Sequence, residues 1–471
     1  MKNLKSYEEF SIGGGWGKEA EAQGLEKVAI IRGTDFEKII SSNFSTVPIR
    51  YETTRKISSR QLCEGDLIIE VSGGSASSKQ RTGRCLYVTQ EIITKLGGKV
   101  IPASFCKLLR LKKDEINPKF IYYQINNMHL TDEISLFEVQ STGICNFQFN
   151  LFLDEVFPAL TDLKKQNKVV NILENLDKKI TLNTQTNQTL EQIAQTIFKH
   201  WFIDFAPVHA KANALARGET IEQAELAAMA CLRGKTVEKI TALKTQDPTA
   251  YHQLQQTAAA FPSEFGETEM GEVPKGWEYR KAEDLFDIGI GKTPPRKESK
   301  WFSDYEKNNI EWISIKDMGN SGSYILNSSE YLIPEAISQF NIKKIPEDTV
   351  LLSFKLTIGR ISITTKETTT NEAIAHFKTG KSYLTTEFLY CYLKDFDFDK
   401  LGSTSSIATA VNSRTIKNMD ILCPSEEIQM QFIQKVKNVF RKIKSNTLEN
   451  EYLTKYRDEL LPKLLSGEIE L

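Results

Sequence analysis

Apolar residues recur every three or four positions along two long stretches of the chain, which is the spacing of an amphipathic helix. The first stretch predicts a helix from about residue 162 to residue 202, with apolar positions at Val169, Ile172, Leu176, Ile180, Leu190, Ile193, Ile197 and Trp201. The second predicts a helix from about residue 426 to residue 465, with apolar positions at Ile428, Phe432, Val436, Val439, Ile443, Leu453, Tyr456, Leu460 and Leu464. Each helix would be about 60 Å long at 1.5 Å per residue.

Both predicted helices are too long for one compact domain to bury. Asn183 and Asn187 interrupt the apolar stripe of the first helix, as buried polar residues do when they set the register of paired helices. Pro462 is expected to distort the last turns of the second helix. We expect the two helices to pack on each other antiparallel, with pseudo-twofold symmetry. The alternative is two separate coiled-coil segments that pair with other proteins.

The chain also repeats itself, with an offset near 266 residues. Short matches occur in the same order along both halves, and each half then leads into one of the long helices. The matched segments are 64–69 with 347–352, 82–84 with 358–360, 120–122 with 388–390, 141–142 with 403–404, and 157–158 with 423–424. Such an ordered series indicates an internal duplication.

The two globular halves have the pattern of mixed α/β domains. Strand-like runs separated by short helices lie at 27–31, 67–71, 107–111, 310–315, 350–354 and 360–364. The segment 206–274 between the halves is rich in Ala, Gln and Glu, and its helical stretches near 221–232 and 249–260 predict a partly helical linker. The predicted fold class is therefore α+β, with two mixed α/β domains in tandem, each followed by a long helix.

Composition and charge exclude several classes of protein. The 471 residues suggest two to four domains, and 60 Lys and Arg against 61 Asp and Glu exclude a uniformly basic nucleic-acid binder but not a local basic face. Seven scattered cysteines without a C-x-x-C pair indicate reduced thiols in a cytoplasm. The polar, glycine-rich segment 1–17 lacks the apolar core of a signal peptide, and no run approaches eighteen apolar residues. We therefore expect a cytoplasmic protein without a membrane partner.

Catalytic motifs are not evident in the sequence. The Asn/Asp-Pro-Pro-aromatic turn that an amino-methyltransferase needs is missing, so the glycine turn at 287–291 lacks its partner as a methionine-cofactor site. Residues 291–293 mimic the end of a phosphate loop, but Phe286 replaces the earlier glycine and Pro294 stands where a helix should begin. No nucleophile triad and no metal-ligand spacing is convincing. We expect no catalytic residue, cofactor or metal site in this chain.

Positive charge collects locally despite the balanced total. Residues 71–113 contain nine Lys and Arg against Glu91 alone, and 291–301 and 353–381 are more weakly basic. Arg84 and Arg360 follow equivalent strands, and arginine is the usual bidentate reader of guanine. The polar loops at 141–143 and 403–406 suit phosphate or base contacts, or merely cap the next element. The candidate DNA-binding residues are Lys79, Arg81, Arg84, Ser141, Thr142, Lys292, Thr293, Lys355, Arg360, Ser403, Thr404 and Arg414. For any single basic run the alternative is a solvated surface, and Arg414 could instead pair with a neighbouring carboxylate.

Several segments resemble the DNA-specificity subunits of type I restriction-modification systems. Residues 187–205 look like that family's central spacer helix and end in its Trp-Phe-x-Asp-Phe pattern. Residues 271–277 resemble the entry to its second recognition domain, 291–294 its early Gly-x-Thr-Pro turn, and 460–469 its C-terminal end. The helical insertion after Asp204 departs from the pattern.

The resemblance implies a non-catalytic subunit that reads an asymmetric, bipartite site on double-stranded DNA. It implies target-recognition domains at 1–157 and 275–424, a central spacer helix at 158–205, a linker at 206–274 and a C-terminal spacer helix at 425–471. Two modification subunits would bind S-adenosylmethionine and methylate adenine, and restriction subunits would use ATP and magnesium. The alternatives are a coiled-coil scaffold that binds no DNA and a self-contained methyltransferase or nuclease.

Overall fold

The structure is a computed structural model of the chain, and it describes residues 2–73, 81–141, 144–402 and 411–469. The chain forms two compact units. The first unit comprises Met1–Gln185 and Glu449–Leu471, and the second comprises Thr186–Leu448. Among the described residues no helix is both long enough and apolar enough to span a membrane.

The first unit is built on an antiparallel sheet of four strands in the order β1-β8-β4-β6. Two further sheets have the orders β3-β2-β7 and β5-β10-β9. The strands are β1 (Glu8–Gly13), β2 (Leu25–Ile31), β3 (Ile49–Thr53), β4 (Leu67–Glu70), β5 (Ser72–Gly73), β6 (Cys85–Tyr87), β7 (Val100–Pro102), β8 (Cys106–Leu111), β9 (Glu138–Ser141) and β10 (Ile144–Phe147). The strands predicted at 27–31, 67–71 and 107–111 are confirmed to within two residues.

Helices cover the four-stranded sheet of the first unit on both faces. They are α1 (Leu4–Tyr7), α2 (Phe36–Ile40), α3 (Thr54–Arg60), α4 (Gln90–Lys95), α5 (Pro118–Leu130), α6 (Phe149–Glu155) and the long α7 (Leu163–Phe202), whose first part lies in this unit. On one face of the sheet, Ile69 and Leu109 pack into a buried cluster with Phe120 of α5. On the other face, Ile68 and Leu108 pack with a second cluster. This alternation follows from the period of two along a strand.

The second unit repeats this sheet with one strand added, in the order β14-β22-β19-β20-β17. Its smaller sheets have the orders β11-β12, β13-β23 and β15-β18-β16-β21. The strands are β11 (Phe265–Thr268), β12 (Gly271–Pro274), β13 (Glu278–Lys281), β14 (Asp287–Ile290), β15 (Phe302–Ser303), β16 (Ile310–Ile313), β17 (Tyr324–Ile325), β18 (Tyr331–Leu332), β19 (Val350–Ser353), β20 (Ile361–Thr364), β21 (Thr369–Thr370), β22 (Ile374–Lys378) and β23 (Asp420–Cys423). The strands predicted at 310–315, 350–354 and 360–364 are confirmed, again to within two residues.

Helices of the second unit form its core together with this sheet. They are α8 (Ala206–Ala216), α9 (Ile221–Arg233), α10 (Val237–Gln246), α11 (Pro248–Ala260), α12 (Ala282–Leu285), α13 (Ile315–Asn320), α14 (Pro334–Gln339), α15 (Thr386–Asp395), α16 (Ser413–Lys417) and the long α17 (Glu426–Ser466). Phe198 of α7, Phe388 of α15 and Phe432 of α17 meet edge to face in the core, with ring centroids 5.3 to 6.2 Å apart. The segment 206–274, predicted as a partly helical linker, contains four helices, and three of them share a buried apolar cluster around Met229, Ile240 and Leu254.

Four strands of each unit's main sheet share one hydrogen-bond register. Strands β1, β8, β4 and β6 correspond to β14, β22, β19 and β20, and each corresponding pair of neighbours is antiparallel. The backbone bonds beyond the strand ends correspond as well: Gly14 N to Cys106 O matches Gly291 N to Ile374 O, Val71 N to Phe105 O matches Phe354 N to Ala373 O, and Gly83 N to Glu70 O matches Gly359 N to Ser353 O. The duplication indicated by the sequence is therefore present in the backbone.

In the first unit, the beginning of α7 and the end of α17 pair antiparallel through a buried amide set. The Nδ2 of Asn450 donates to the carbonyl oxygen of Ile180 at 3.3 Å and to Oγ1 of Thr184 at 3.1 Å. The Nδ2 of Asn183 donates to Oδ1 of Asn450 at 2.9 Å and to Glu449 at 3.0 Å. These bonds tie α7 to α17 at a single register.

The second unit contains the same amide set with the roles of the two helices exchanged. The Nδ2 of Asn187 on α7 donates to the carbonyl oxygen of Ile443 at 3.4 Å and to Oγ1 of Thr447 at 3.2 Å. The Nδ2 of Asn446 donates to Oδ1 of Asn187 at 2.9 Å. The predicted polar positions Asn183 and Asn187 are thus both confirmed in the helix seam, and the predicted α+β fold class with long, antiparallel helices is confirmed. Helix α17 continues through Pro462 to Ser466.

Candidate nucleic-acid interface

Most of the candidate residues that the structure describes lie at one end of the repeated sheet, which we call the loop end of each unit. In the first unit the loop end consists of 14–16, the described residues 71–73 and 81–84 of the β4–β6 connection, and 103–105. In the second unit it consists of 291–293, 354–360 and 371–373. These segments meet because β1, β4, β14 and β19 finish where their antiparallel partners begin.

A glycine opens the first segment of each loop end. Gly14 and Gly291 directly follow β1 and β14. A Cβ atom at either position would overlap a backbone carbonyl oxygen, that of Ala103 or that of Asn371. The glycine turn at 287–291 is therefore a strand end that packs against a neighbouring loop.

In the first unit, the predicted arginines are held by carboxylates. Arg84 donates to Glu70 through Nε at 2.9 Å and Nη2 at 2.8 Å, and this ion pair is largely buried. Burial opposes the charge of Arg84, but the bonds to Glu70 outweigh it and raise the pKa of the guanidinium. Arg81 binds Asp132 and Glu138 on the surface, which also raises its pKa. In this structure the guanidinium of Arg84 is therefore bonded to a carboxylate of its own unit.

The polar loop that was predicted at 141–143 lies beside the same loop end. Ser141 is the last residue of β9, which pairs with β10, and β10 in turn pairs with β5 at Ser72 and Gly73. Lys79 and Thr142 lie outside the described residues, as do Ser403 and Thr404 of the second unit.

In the second unit, four candidate residues lie at the loop end. The Nζ of Lys292 donates to the carbonyl oxygens of Phe340 and Asn341 at 3.2 and 3.0 Å, and Thr293 donates to Glu372. Lys355 is exposed, with its Nζ 5.5 Å from the ring centroid of Phe354.

Arg360 occupies the position of Arg84 but has a different partner. Its Nη1 donates to the carbonyl oxygen of Ile315 at 2.5 Å, and its guanidinium lies against Gly319 of α13. Ser353 replaces Glu70, and its hydroxyl accepts from the backbone N of Arg360 at 3.0 Å. The two arginines therefore share a backbone position and differ in side-chain environment.

Arg414 lies away from this group. It is exposed on α16, and α16 contacts α12, which precedes the first residue of β14, at the opposite end of that strand from Gly291. The structure thus places Lys292, Thr293, Lys355 and Arg360 at the same end of the sheet and leaves Arg414 apart.

Aromatic and apolar groups at or beside the loop ends were missed by the sequence analysis. Trp16, in the first unit, lies under the guanidinium of Arg50 at 4.7 Å, and Phe105 is 64% exposed. In the second unit, Arg296 lies 4.4 Å from the ring centroids of both Phe302 and Trp312. A sequence signal existed for Trp16 alone, because the Gly-x-Trp turn at 14–16 aligns with the Gly-x-Thr turn at 291–293.

The described residues contain no group of three or more His, Cys, Asp or Glu that could hold a metal ion. What the fold defines is a duplicated α+β chain whose two sheets each present basic, polar and aromatic side chains at the loop end, with long antiparallel helices. This is the architecture of a tandem recognition protein.

Comparisons with known proteins place the chain in a family. Residues 274–455 match the family described as type I restriction modification DNA specificity domain. The chain is 41% identical over 319 residues to the specificity subunit of the type I restriction enzyme HindI of Haemophilus influenzae, which is 66% of this chain and 68% of that protein. It is 28% identical over 202 residues to the MjaIX specificity subunit of Methanocaldococcus jannaschii, covering 42% of this chain and 46% of that one. A crystal structure of the S subunit from M. genitalium is similar over 98% of this chain and 95% of that chain, at 13% identity and a TM-score of 0.46.

The chain belongs to the DNA-specificity subunits of type I restriction-modification systems. This family is the non-catalytic, DNA-recognising component of those systems. Its specificity subunits assemble with methyltransferase and restriction subunits and bind DNA.

Proposed function

We propose that each unit of this chain reads one half of an asymmetric, bipartite site on double-stranded DNA. The observation that carries the proposal is the pair of loop ends, which share one backbone frame and present different side chains. Lys, Arg, Ser and Thr at such loops suit phosphate contacts, and arginine and apolar side chains suit base edges. Because the side chains differ between the units, the two half-sites differ in sequence.

The long helices separate the half-sites and dock two modification subunits. Exposed apolar and aromatic side chains on them support a docking role, among them Leu182, Tyr452 and Tyr456 of the first unit. The modification subunits bind S-adenosylmethionine and methylate adenine, and restriction subunits join them and use ATP and magnesium. This chain supplies the DNA address and holds no cofactor of its own.

A methylation map of the host genome, with and without this gene, tests the bipartite target. We expect one split motif with two different halves to lose its adenine methylation when the gene is deleted. A palindromic motif, or an unchanged map, would contradict the proposal.

A second experiment tests the spacer role. Removing four residues from each of α7 and α17 shortens each helix by about 6 Å, close to two base pairs of DNA. We expect the gap between the half-sites to change while both half-site sequences stay the same. The wild-type chain in the same host is the control, and an unchanged gap would rule out the spacer role.

A further inference from the structure

One apolar side chain stands out at the loop end of the second unit. Leu356 lies in the connection between β19 and β20, and 97% of it is exposed. Its φ is +61°, in the left-handed region that a residue with a bulky side chain rarely adopts. Single exposed apolar residues are common on protein surfaces, but one held in an unfavourable backbone conformation is not.

The surrounding loop is closed tightly on Ser353, which is fully buried. The backbone N of Ser353 donates to the carbonyl oxygen of Arg360, and its own carbonyl accepts from Gly359, both at 3.0 Å. The hydroxyl of Ser353 donates to the carbonyl oxygen of Thr357 at 2.6 Å and accepts from the backbone N of Arg360 at 3.0 Å. Four hydrogen bonds to one residue therefore fix the loop that projects Leu356 into solvent.

The charges at this loop end are mixed. Lys355 is exposed next to Leu356, and Lys292 belongs to the same loop end. Glu372 is also present, and it accepts the hydroxyl of Thr293. A rigid apolar tip beside lysines matches the chemistry of a DNA groove, where cations contact phosphates and apolar side chains contact thymine methyl groups or wedge between bases.

We propose that Leu356 is a base-contacting, specificity-determining residue of the second unit. The proposal rests on the proposed function, because it needs the loop end to face DNA. Leu356 makes apolar contact with one base step of the half-site that this unit reads.

Two substitutions separate recognition from folding. Leu356→Gly removes the side chain and accepts the positive φ without steric cost, so its melting temperature should stay close to wild type. Leu356→Ala removes most of the side chain and retains the L-residue backbone preference. Ile221→Ala is the matched control, because Ile221 is also an exposed apolar residue of the second unit and lies in α9.

The experiment measures the Kd of the full chain, assembled with its modification subunits, for the methylation-mapped duplex and for an unrelated duplex. We expect Leu356→Gly and Leu356→Ala each to weaken binding of the mapped duplex at least tenfold, with binding of the unrelated duplex unchanged. In a set of duplexes with single base-pair changes, both variants should lose discrimination at one or two adjacent pairs of one half-site only.

Mapped-duplex affinity within twofold of wild type, together with unchanged discrimination at every base pair, would overturn the role of Leu356. The same affinity loss in Ile221→Ala would also overturn it. A wild-type complex that shows no preference for the bipartite duplex would instead overturn the proposed function, and the inference with it.

Discussion

The two loop ends share a backbone and differ in the side chains that they hold at equivalent places. In the first unit, Arg84 follows β4 and is locked onto Glu70 in a largely buried ion pair. In the second, Arg360 bonds a backbone carbonyl, and Ser353 stands at the position of Glu70. In the first unit the arginine is therefore paired with an internal carboxylate, whereas in the second unit a serine hydroxyl closes the loop.

The same contrast continues inside the sheets. His376 of β22 lies where β8 has Leu108, as the register with Leu351 and Ile68 shows. Its ring fits because Gly289 of β14 lies opposite, and a Cβ there would collide with the ring. A ladder of backbone hydrogen bonds needs no particular side chain, so a duplicated sheet can keep its register while its contacts diverge.

The largest expected effect comes from removing the ion pair between Glu70 and Arg84, which only the first unit has. Glu70→Ala leaves the Arg84 guanidinium partly buried without its main partner, which should cost about 3–5 kcal/mol of local stability. Ser353→Ala removes only the two hydroxyl hydrogen bonds and should cost about 2 kcal/mol. Hydrogen exchange measured by mass spectrometry reports the opening free energy of β4 and β6 in one variant and of β19 and β20 in the other. Equal losses in the two units would contradict this interpretation.

The next effect is a pH response that His376 contributes in the second unit. Burial, reinforced by Lys343 and opposed by Asp287, lowers the pKa of His376 to about 4, and its Nε2 has no hydrogen-bond partner among the described residues. The unfolded chain takes up this proton near pH 6.5, and the folded chain resists it. The contribution of His376 to the free energy of unfolding is therefore fully present above pH 6.5. It falls by about 2–3 kcal/mol as the pH drops from 6.5 toward 4.

His376→Leu copies the residue of the first unit and provides the control for this response. Chemical denaturation at several pH values should show a shallower loss of stability on acidification in the variant than in wild type. Parallel pH profiles for the two proteins would show that His376 is not the source.

Sequence periodicity predicted the long helices and several strands well. The predicted limits 162–202 and 426–465 differ from Leu163–Phe202 and Glu426–Ser466 by one residue, because a 3.6-residue apolar stripe persists for the whole length of each helix. The polar seam residues Asn183 and Asn187 were found for the same reason.

The partners of the candidate arginines could not be predicted in this way. Arg84 meets Glu70 across a hairpin whose register is set by the fold, and Arg81 meets Asp132 and Glu138 from more than fifty residues away. Nothing in a local charge count distinguishes an arginine free for DNA from one held by a distant carboxylate. The cluster of basic residues was visible in the sequence, and its internal neutralisation was not.

A smaller effect compares the two amide sets of the helix pair. Asn183→Ala removes bonds to both Asn450 and Glu449 and should cost about 2 kcal/mol. Asn446→Ala removes the bond to Asn187, while its own Oδ1 has no partner among the described residues, so it should cost about 1 kcal/mol. Hydrogen exchange of the α17 amides on either side of residue 448 measures both losses of stability. A larger loss in Asn446→Ala than in Asn183→Ala would contradict the expected order.

The smallest expected effect concerns which lysine and arginine side chains contact DNA phosphates. Lys355 is exposed, and among the described residues no carboxylate lies within ion-pair distance of it, whereas Arg81 is held by Asp132 and Glu138. If Lys355 neutralises a phosphate, Lys355→Ala weakens binding to every duplex by about 1 kcal/mol and lowers the salt slope of the binding constant by about one. Arg81→Ala should change the slope less, because its charge is already compensated inside the unit.

Titrations of the assembled complex at several salt concentrations measure both slopes, with Lys239→Ala on α10 as the surface control. Equal slopes for Lys355→Ala and Lys239→Ala would place Lys355 away from the phosphates, and a full loss of one unit in Arg81→Ala would show that DNA displaces its carboxylates.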